Sequence, residues 1–191
     1  MNNDTGPVSL NEPYRQGYTT NQQTPDFDED KKKYYSVNVF GSAASIQFKP
    51  DVTKSGTFTV KLESATKINA QGKGYDWQNL IALQITNTDI LKFLMVSLGL
   101  ISSADFMHYG ANNDKNATFK YQFHAKYGPQ VFAQINQKNQ KQCSIPIPMS
   151  DMIQAGHLAL CQYIKNHPSL TTDAAMMSLS RLAQLTKNNL K

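Results

Sequence analysis

Three consecutive lysines, Lys31, Lys32 and Lys33, run directly into Tyr34 and Tyr35. Cationic side chains beside aromatic rings are the chemistry of a surface that neutralises phosphates and stacks bases. The pairing recurs downstream. Lys49, Lys61 and Lys73 fall on or between stretches of alternating hydrophobicity, in the company of Phe40, Tyr75 and Trp77. Further on, Phe106 and Tyr109 precede Lys120-Tyr121 and Lys126-Tyr127. An aromatic at every second position is also the mark of a sheet core, and Phe58, Phe119 and Phe123 are assigned there. Trp77, the single tryptophan, fits core packing as well as stacking.

Other chemistries find little support. His108, His124, His157 and His167 are scattered, with no cysteine or carboxylate at metal-ligand spacing, so they read as satisfied or exposed histidines rather than a zinc site. Gly72-Lys73-Gly74 is not a phosphate loop, because the longer glycine–lysine–serine/threonine pattern is missing. There is no paired-carboxylate or nucleophile–histidine constellation, and Asp76 reads as a turn-former. No catalysis, metal or cofactor is expected.

Charge sharpens the picture. The 191 residues carry a formal +5, but residues 1–30 hold six acids against Arg15, a net of −5. The other residues hold 18 Lys/Arg against 8 Asp/Glu, a net of +10. A basic body with an acidic tail suits a polyanionic partner, although charge alone fits a basic domain without one equally well. The tail, rich in Asn, Gln, Thr, Pro and Asp, reads as disordered. Its acidic end, Asp26 to Asp30, either folds back to compete with nucleic acid or serves as a solubilising linker.

Cys143 and Cys161 read as free thiols in a reducing compartment. The first residues have neither the basic start nor the apolar core of a signal peptide. The longest apolar run, Ile90 to Ile101, is interrupted by Lys92, Ser97 and Gly99 and is too short to span a bilayer. A cytoplasmic, membrane-free protein of bacterial, plasmid or phage origin is expected.

The elements that position these residues follow from periodicity. Val37, Val39, Ala44, Ile46 and Phe48 predict one long strand bent at Gly41-Ser42. A strand over about 56–62 and another around Trp77–Ile85 follow, then a buried helix from Thr88-Asp89 to Leu98. A second round begins near Ser103, with strands over 118–125, 131–135 and 143–147. Ser150 is the expected N-cap of a helix over 152–164, stopped before Pro168. Strands-then-helix thus occurs twice, which predicts an internal duplication. Residues 172–190 form a third, amphipathic helix carrying Met176, Leu179, Leu182, Ala183 and Leu185.

Four landmarks in order carry a family resemblance over about residues 34–167. They are Tyr35-Ser36-Val37 opening into Gly41-Ser42-Ala43-Ala44, then Tyr75-Asp76-Trp77, Phe106-Met107-His108, and Ser144-Ile145-Pro146-Ile147. Together they resemble the Whirly-type single-stranded DNA-binding proteins, a superfamily shared with positive-cofactor-four-like transcription coactivators. The resemblance implies an α+β fold of two roughly perpendicular four-stranded antiparallel sheets, each followed by a helix. It also implies association of chains through helices, a tetramer first and a dimer as the alternative. Single-stranded DNA would run across the sheet edges with its bases against aromatic side chains. Where the family places two lysines around the glycine, this chain has Phe40 and Ser42, so very large DNA-bound assemblies are not expected.

The expected organisation is an acidic tail (1–30), a Whirly-like domain (31–168) and a C-terminal amphipathic helix (169–191). The expected function is binding of single-stranded DNA with little sequence preference, in replication, recombination or repair. RNA annealing or transcriptional coactivation on the same fold is the first alternative, and a protein-interaction module without nucleic acid the second. An OB barrel fits less well, since this chain ends on the basic Lys187-Asn-Asn-Leu-Lys191.

Overall fold

Residues 37–52 make two strands where the alternation predicts one. The computed structural model describes residues 35–68, 74–139 and 141–188. In it β1 (Val37–Phe40) and β2 (Ala44–Val52) lie antiparallel, with Val39 opposite Ile46 and Phe40 opposite Ser45. Gly41-Ser42-Ala43 is therefore a hairpin turn, closed by Gly41 N–H donating to the Ala44 carbonyl at 2.9 Å. A bend and a tight turn leave the same break in alternation, so the pattern did not separate them. The glycine is required by space. A Cβ there would lie 3.0 Å from both the Ala44 oxygen and Ile145 Cγ1, so any side chain would lift the turn off the second sheet.

β3 (Phe58–Thr66) and β4 (Ile81–Gln84) complete a four-stranded antiparallel meander in the order β1-β2-β3-β4. The expected strand around Trp77 starts only at Ile81, because Trp77–Asn79 is a 3-10 turn. Asp76 imposes it: its carboxylate accepts from the backbone N–H and the side-chain amide of Asn79, at 3.3 and 3.0 Å. Helix α1 (Ile90–Ser97) follows, buried along almost its whole length.

The second sheet repeats the plan, with β5 (Ser103–Tyr109), β6 (Lys115–His124), β7 (Gly128–Gln137) and β8 (Lys141–Pro148) in that order, then α2 (Met149–Lys165). The duplication expected from the sequence is present. Helix α2 starts ahead of the expected Ser150 cap. Pro148 ends β8 and occupies the N-cap itself, where its missing N–H costs no hydrogen bond.

The inner faces of both sheets and the helices share one core. Its centre is a cluster of phenylalanines: Phe48 from β2, Phe93 from α1, Phe106 from β5 and Phe119 from β6. Phe93 and Phe106 each meet the Phe119 ring nearly perpendicular, at 5.9 and 5.7 Å between centroids. The helices cross-brace the sheets: α1 lies against β5 and β6, whereas α2 reaches β1, β2 and β3 as well as β7 and β8. The helices cross closely at Gly156, where a Cβ would come within 2.7 Å of Ser97 Oγ. At the far end of α2, Asn166 grips Phe58 with both amide groups, accepting from its N–H at 2.9 Å and donating to its carbonyl at 2.7 Å.

Helix α3 (Thr172–Asn188) packs on α1 and α2 through Ala175, Leu179 and Ala183. The narrower Ala175–Leu179–Ala183 face does the packing, and Leu182 and Leu185 of the expected apolar face stay exposed. Among the described residues no helix is long and apolar enough to cross a membrane.

Candidate nucleic-acid interface

In a strand, alternate residues share a face, and paired residues point the same way. Because Ile46, Phe48, Val60 and Leu62 face the core, their neighbours define the outer face of the first sheet. One row across it is Phe40, Ser45 and Ala65; the next is Asn38, Gln47, Glu63 and Ala82; the next holds Lys49, Lys61 and Gln84.

The first row carries rings. Phe40 is 66% exposed and lies 5.8 Å from Tyr75, whose other neighbour is Trp77 at 6.5 Å and nearly edge-on. Tyr75 is fixed by its hydroxyl, which donates to the Gly41 carbonyl at 2.7 Å and ties the ring to the hairpin turn. Phe40, Tyr75 and Trp77 thus come together in one strip. Both Tyr75 and Trp77 are half-buried, so Trp77 is neither a pure core residue nor a free ring.

The row of lysines is less free than the sequence suggests. Lys49 Nζ binds Glu63 Oε2 at 2.6 Å and Lys61 Nζ binds Oε1 at 2.8 Å. Burial alone would raise the Glu63 carboxyl pKa, but the hydrogen bonds from Lys49 and Lys61 outweigh it and hold it below its ordinary value. The hydrogen bond from Lys61 to Glu63 in turn raises the Lys61 pKa. These lysines remain on the expected face, but their charge is already partly neutralised. Glu63 was missed, although Lys61 and Glu63 two apart on a strand had to share a face.

The second sheet carries a different cluster. Phe119 is fully buried, yet beyond it β6 leaves the core, and residues 120–127 are all exposed. Tyr121, Tyr127 and Phe123 therefore stand out on the β6–β7 hairpin beside Lys120 and Lys126, with Phe123 71% and Tyr127 68% exposed. The assignment of Phe123 to the core is corrected. The strand is longer than the core it covers, and the available signal was Pro129, which the register places opposite Phe123 at the hairpin end. The tip is ordered by His124, whose Nδ1 accepts from the backbone N–H groups of Lys126 and Tyr127 at 3.1 and 3.3 Å. Its ring lies 4.7 Å from Tyr127, and Lys126 Nζ sits 5.1 Å from the Tyr127 centroid. Phe132, half-buried on the outer face between Lys120 and Pro146, is a further ring the sequence reading passed over.

Two candidates are removed. Phe106 is fully buried in the phenylalanine cluster and offers no face to a base. Tyr109 is buried because the register of β5 shifts between Phe106 and Tyr109, where His108 takes a positive φ of 63°, turning the tyrosine inward. Its hydroxyl donates to Asp89 at 2.6 Å, and burial pushes its pKa up to about 12. Tyr35 is exposed, with its hydroxyl 3.2 Å from Gln154 of α2. Lys31, Lys32, Lys33, Tyr34 and Lys73 lie outside the described residues.

Two other lysines hold the sheets together. Lys141 donates to the Asn79 carbonyl at 2.9 Å and pairs with Asp76 at 3.3 Å; Lys115 donates to the Ala82 carbonyl at 3.2 Å. Among the described residues no group of three or more His, Cys, Asp or Glu side chains could hold a metal ion.

No protein-family model and no curated protein sequence matches the chain. Solved structures do. The structure of the plant transcriptional regulator PBF-2 superposes with a TM-score of 0.50 at 17% identity, over 72% of this chain and 86% of that one. WHY1 from Arabidopsis thaliana gives 0.49 at 19%, over 71% and 88%, and WHY3 from the same plant 0.47 at 19%, over 69% and 89%. With two four-stranded meanders, each followed by a helix, the chain has a Whirly-like fold, with a third helix at its C-terminal end.

Proposed function

We propose that the chain is a non-enzymatic single-stranded DNA-binding protein that protects or organises DNA in replication, recombination or repair. It does so in the cytoplasm and as a homo-oligomer, a tetramer first. One observation carries the reading: the β6–β7 hairpin holds Tyr121, Phe123 and Tyr127 out of the core beside Lys120 and Lys126. Exposed rings with interleaved lysines suit a strand whose bases stack and whose phosphates face cations. The Phe40–Tyr75–Trp77 strip is a second platform of the same chemistry. Stacking and phosphate contacts are sequence-tolerant, which supports a weak overall base preference.

Anisotropy titrations with labelled oligo-dT and oligo-rU of about 30 nucleotides test the reading. Salt-sensitive binding, tighter to oligo-dT, is expected. Tighter binding to oligo-rU would favour the RNA-annealing alternative. Salt-insensitive or absent binding to both would leave a protein-interaction module. Light scattering with and without oligo-dT gives the oligomer number. A transcriptional role is the second reading, favoured by the match in fold to a plant transcriptional regulator.

A further inference from the structure

The outer face of the first sheet contains a cavity of about 400 Å3, lined in part by Gln47, Lys49, Asp51, Lys61 and Glu63. A volume of that order suits a small-molecule or base site. Its two lysines and two carboxylates cancel in charge, so it is poorly suited to gripping a phosphate. It is well suited to a neutral, polar heterocycle. In its lining the Glu63 side chain is only 9% exposed, and each of its oxygens accepts from a different lysine.

The order of groups along that hydrogen-bonded chain is specific. Lys49 Nζ is a donor, Glu63 Oε2 and Oε1 are acceptors, and Lys61 Nζ is a donor. An ionised carboxylate has about four acceptor positions, so two remain for an incoming ligand. Guanine presents the complement along one edge: the N3 acceptor, the N2 amino and N1–H donors, and the O6 acceptor. Thymine has one ring donor between two acceptors, while cytosine and adenine each have one amino donor beside an acceptor nitrogen. Only guanine sets two adjacent donors against a carboxylate. Phe40 lies on the same face, one row along and two strands away. That separation is roughly 12 Å between Cα positions, from strand spacing and rise per residue. A neighbouring base can stack there.

We propose that this pocket takes a guanine base from the bound strand, read by Glu63 between Lys49 and Lys61. The inference rests on the strand-binding function proposed above. It adds one base-selective position to an otherwise sequence-tolerant surface.

The test compares an oligo-dT strand with the same strand carrying isolated guanines, and with inosine at those positions. Guanine should tighten binding at least about five-fold. Inosine, which lacks the N2 amine, should lose most of that gain without any change to the protein. Glu63→Gln should abolish the guanine preference while strengthening oligo-dT binding, because it frees two lysines. Equal affinity for all three strands, or a preference that survives Glu63→Gln, overturns the proposal. If no strand binds, saturation-transfer NMR with dGMP and dTMP separates the two ideas. Contact with dGMP that is lost in Glu63→Gln supports the pocket and places the failure on the strand-binding reading. Absence of contact with dGMP overturns the pocket.

Discussion

The two sheets have the same strand order and the same following helix, yet they present their rings in opposite ways. On the first sheet, Phe40, Tyr75 and Trp77 lean on one another and are tied to a turn by the Tyr75 hydroxyl. On the second, Tyr121, Phe123 and Tyr127 stand on a hairpin that has outrun its core. Duplicated architecture fixes the inner faces, which must share one core, and leaves the outer faces free to diverge. The first sheet offers a pre-ordered strip beside a charge-neutral pocket, and the second offers exposed rings beside lysines with no ion-pair partner among the described residues. On the proposed reading the first selects a base and the second holds a strand.

The sharpest way to break the comparison is along β6, where Phe119 and Phe123 share a face four residues apart. Phe119→Ala should cost about 3–5 kcal/mol of stability, as a buried phenylalanine does. Phe123→Ala should cost no more than about 0.5 kcal/mol. Denaturant melts read both, and a large loss at Phe123 would mean that another surface covers the hairpin in solution.

Strand affinity comes next. Phe123→Ala and Tyr127→Ala should each weaken oligo-dT binding by about 1–3 kcal/mol, and Phe40→Ala by a similar amount. If only the Phe40 variant loses affinity, the hairpin is not part of the interface. Tyr75→Phe keeps the ring and removes the hydroxyl bond to Gly41. It should lower stability by about 0.5–1.5 kcal/mol and leave hairpin-dependent binding unchanged.

Acid should then expose the first sheet selectively. Glu63 titrates below its ordinary value of 4.5 in the folded chain, because its hydrogen bonds from Lys49 and Lys61 outweigh burial. Its stabilisation is therefore complete above the unfolded value and is lost as pH falls through the lower, folded value. Thermal melts should show a smaller acid-induced drop for Glu63→Gln than for the parent chain. An equal drop would locate the acid sensitivity elsewhere, with Asp89 the next candidate. There too burial is outweighed, by hydrogen bonds from Tyr109 and Lys92, and the pKa is lowered.

Most of the fold was legible because alternation and turn residues mark strands independently of context. The second meander, β3, β4, α1 and α2 follow from them. Three features were not legible, each for a physical reason. A hairpin at Gly41 and a bend there interrupt the alternation identically, and only the pairing of β1 with β2 decides. The inward turn of Tyr109 depends on a register shift that no local pattern announces. The exposure of Phe123 depends on where the core ends, which is a property of the partner elements rather than of β6. At the candidate site, residue types were visible and their pairings were not. Lys49 and Lys61 are where a basic surface needs them, but the carboxylate between them changes what they can bind.

The proposed hold on a single strand comes from phosphate contacts and stacked bases. Its most direct test is the affinity for oligo-dT measured across a range of salt. With Lys49 and Lys61 engaged by Glu63, the six candidates Lys31, Lys32, Lys33, Lys73, Lys120 and Lys126 remain for phosphate, giving log K against log salt a slope of about −4. A slope indistinguishable from zero, or no binding at the lowest salt, would contradict the account.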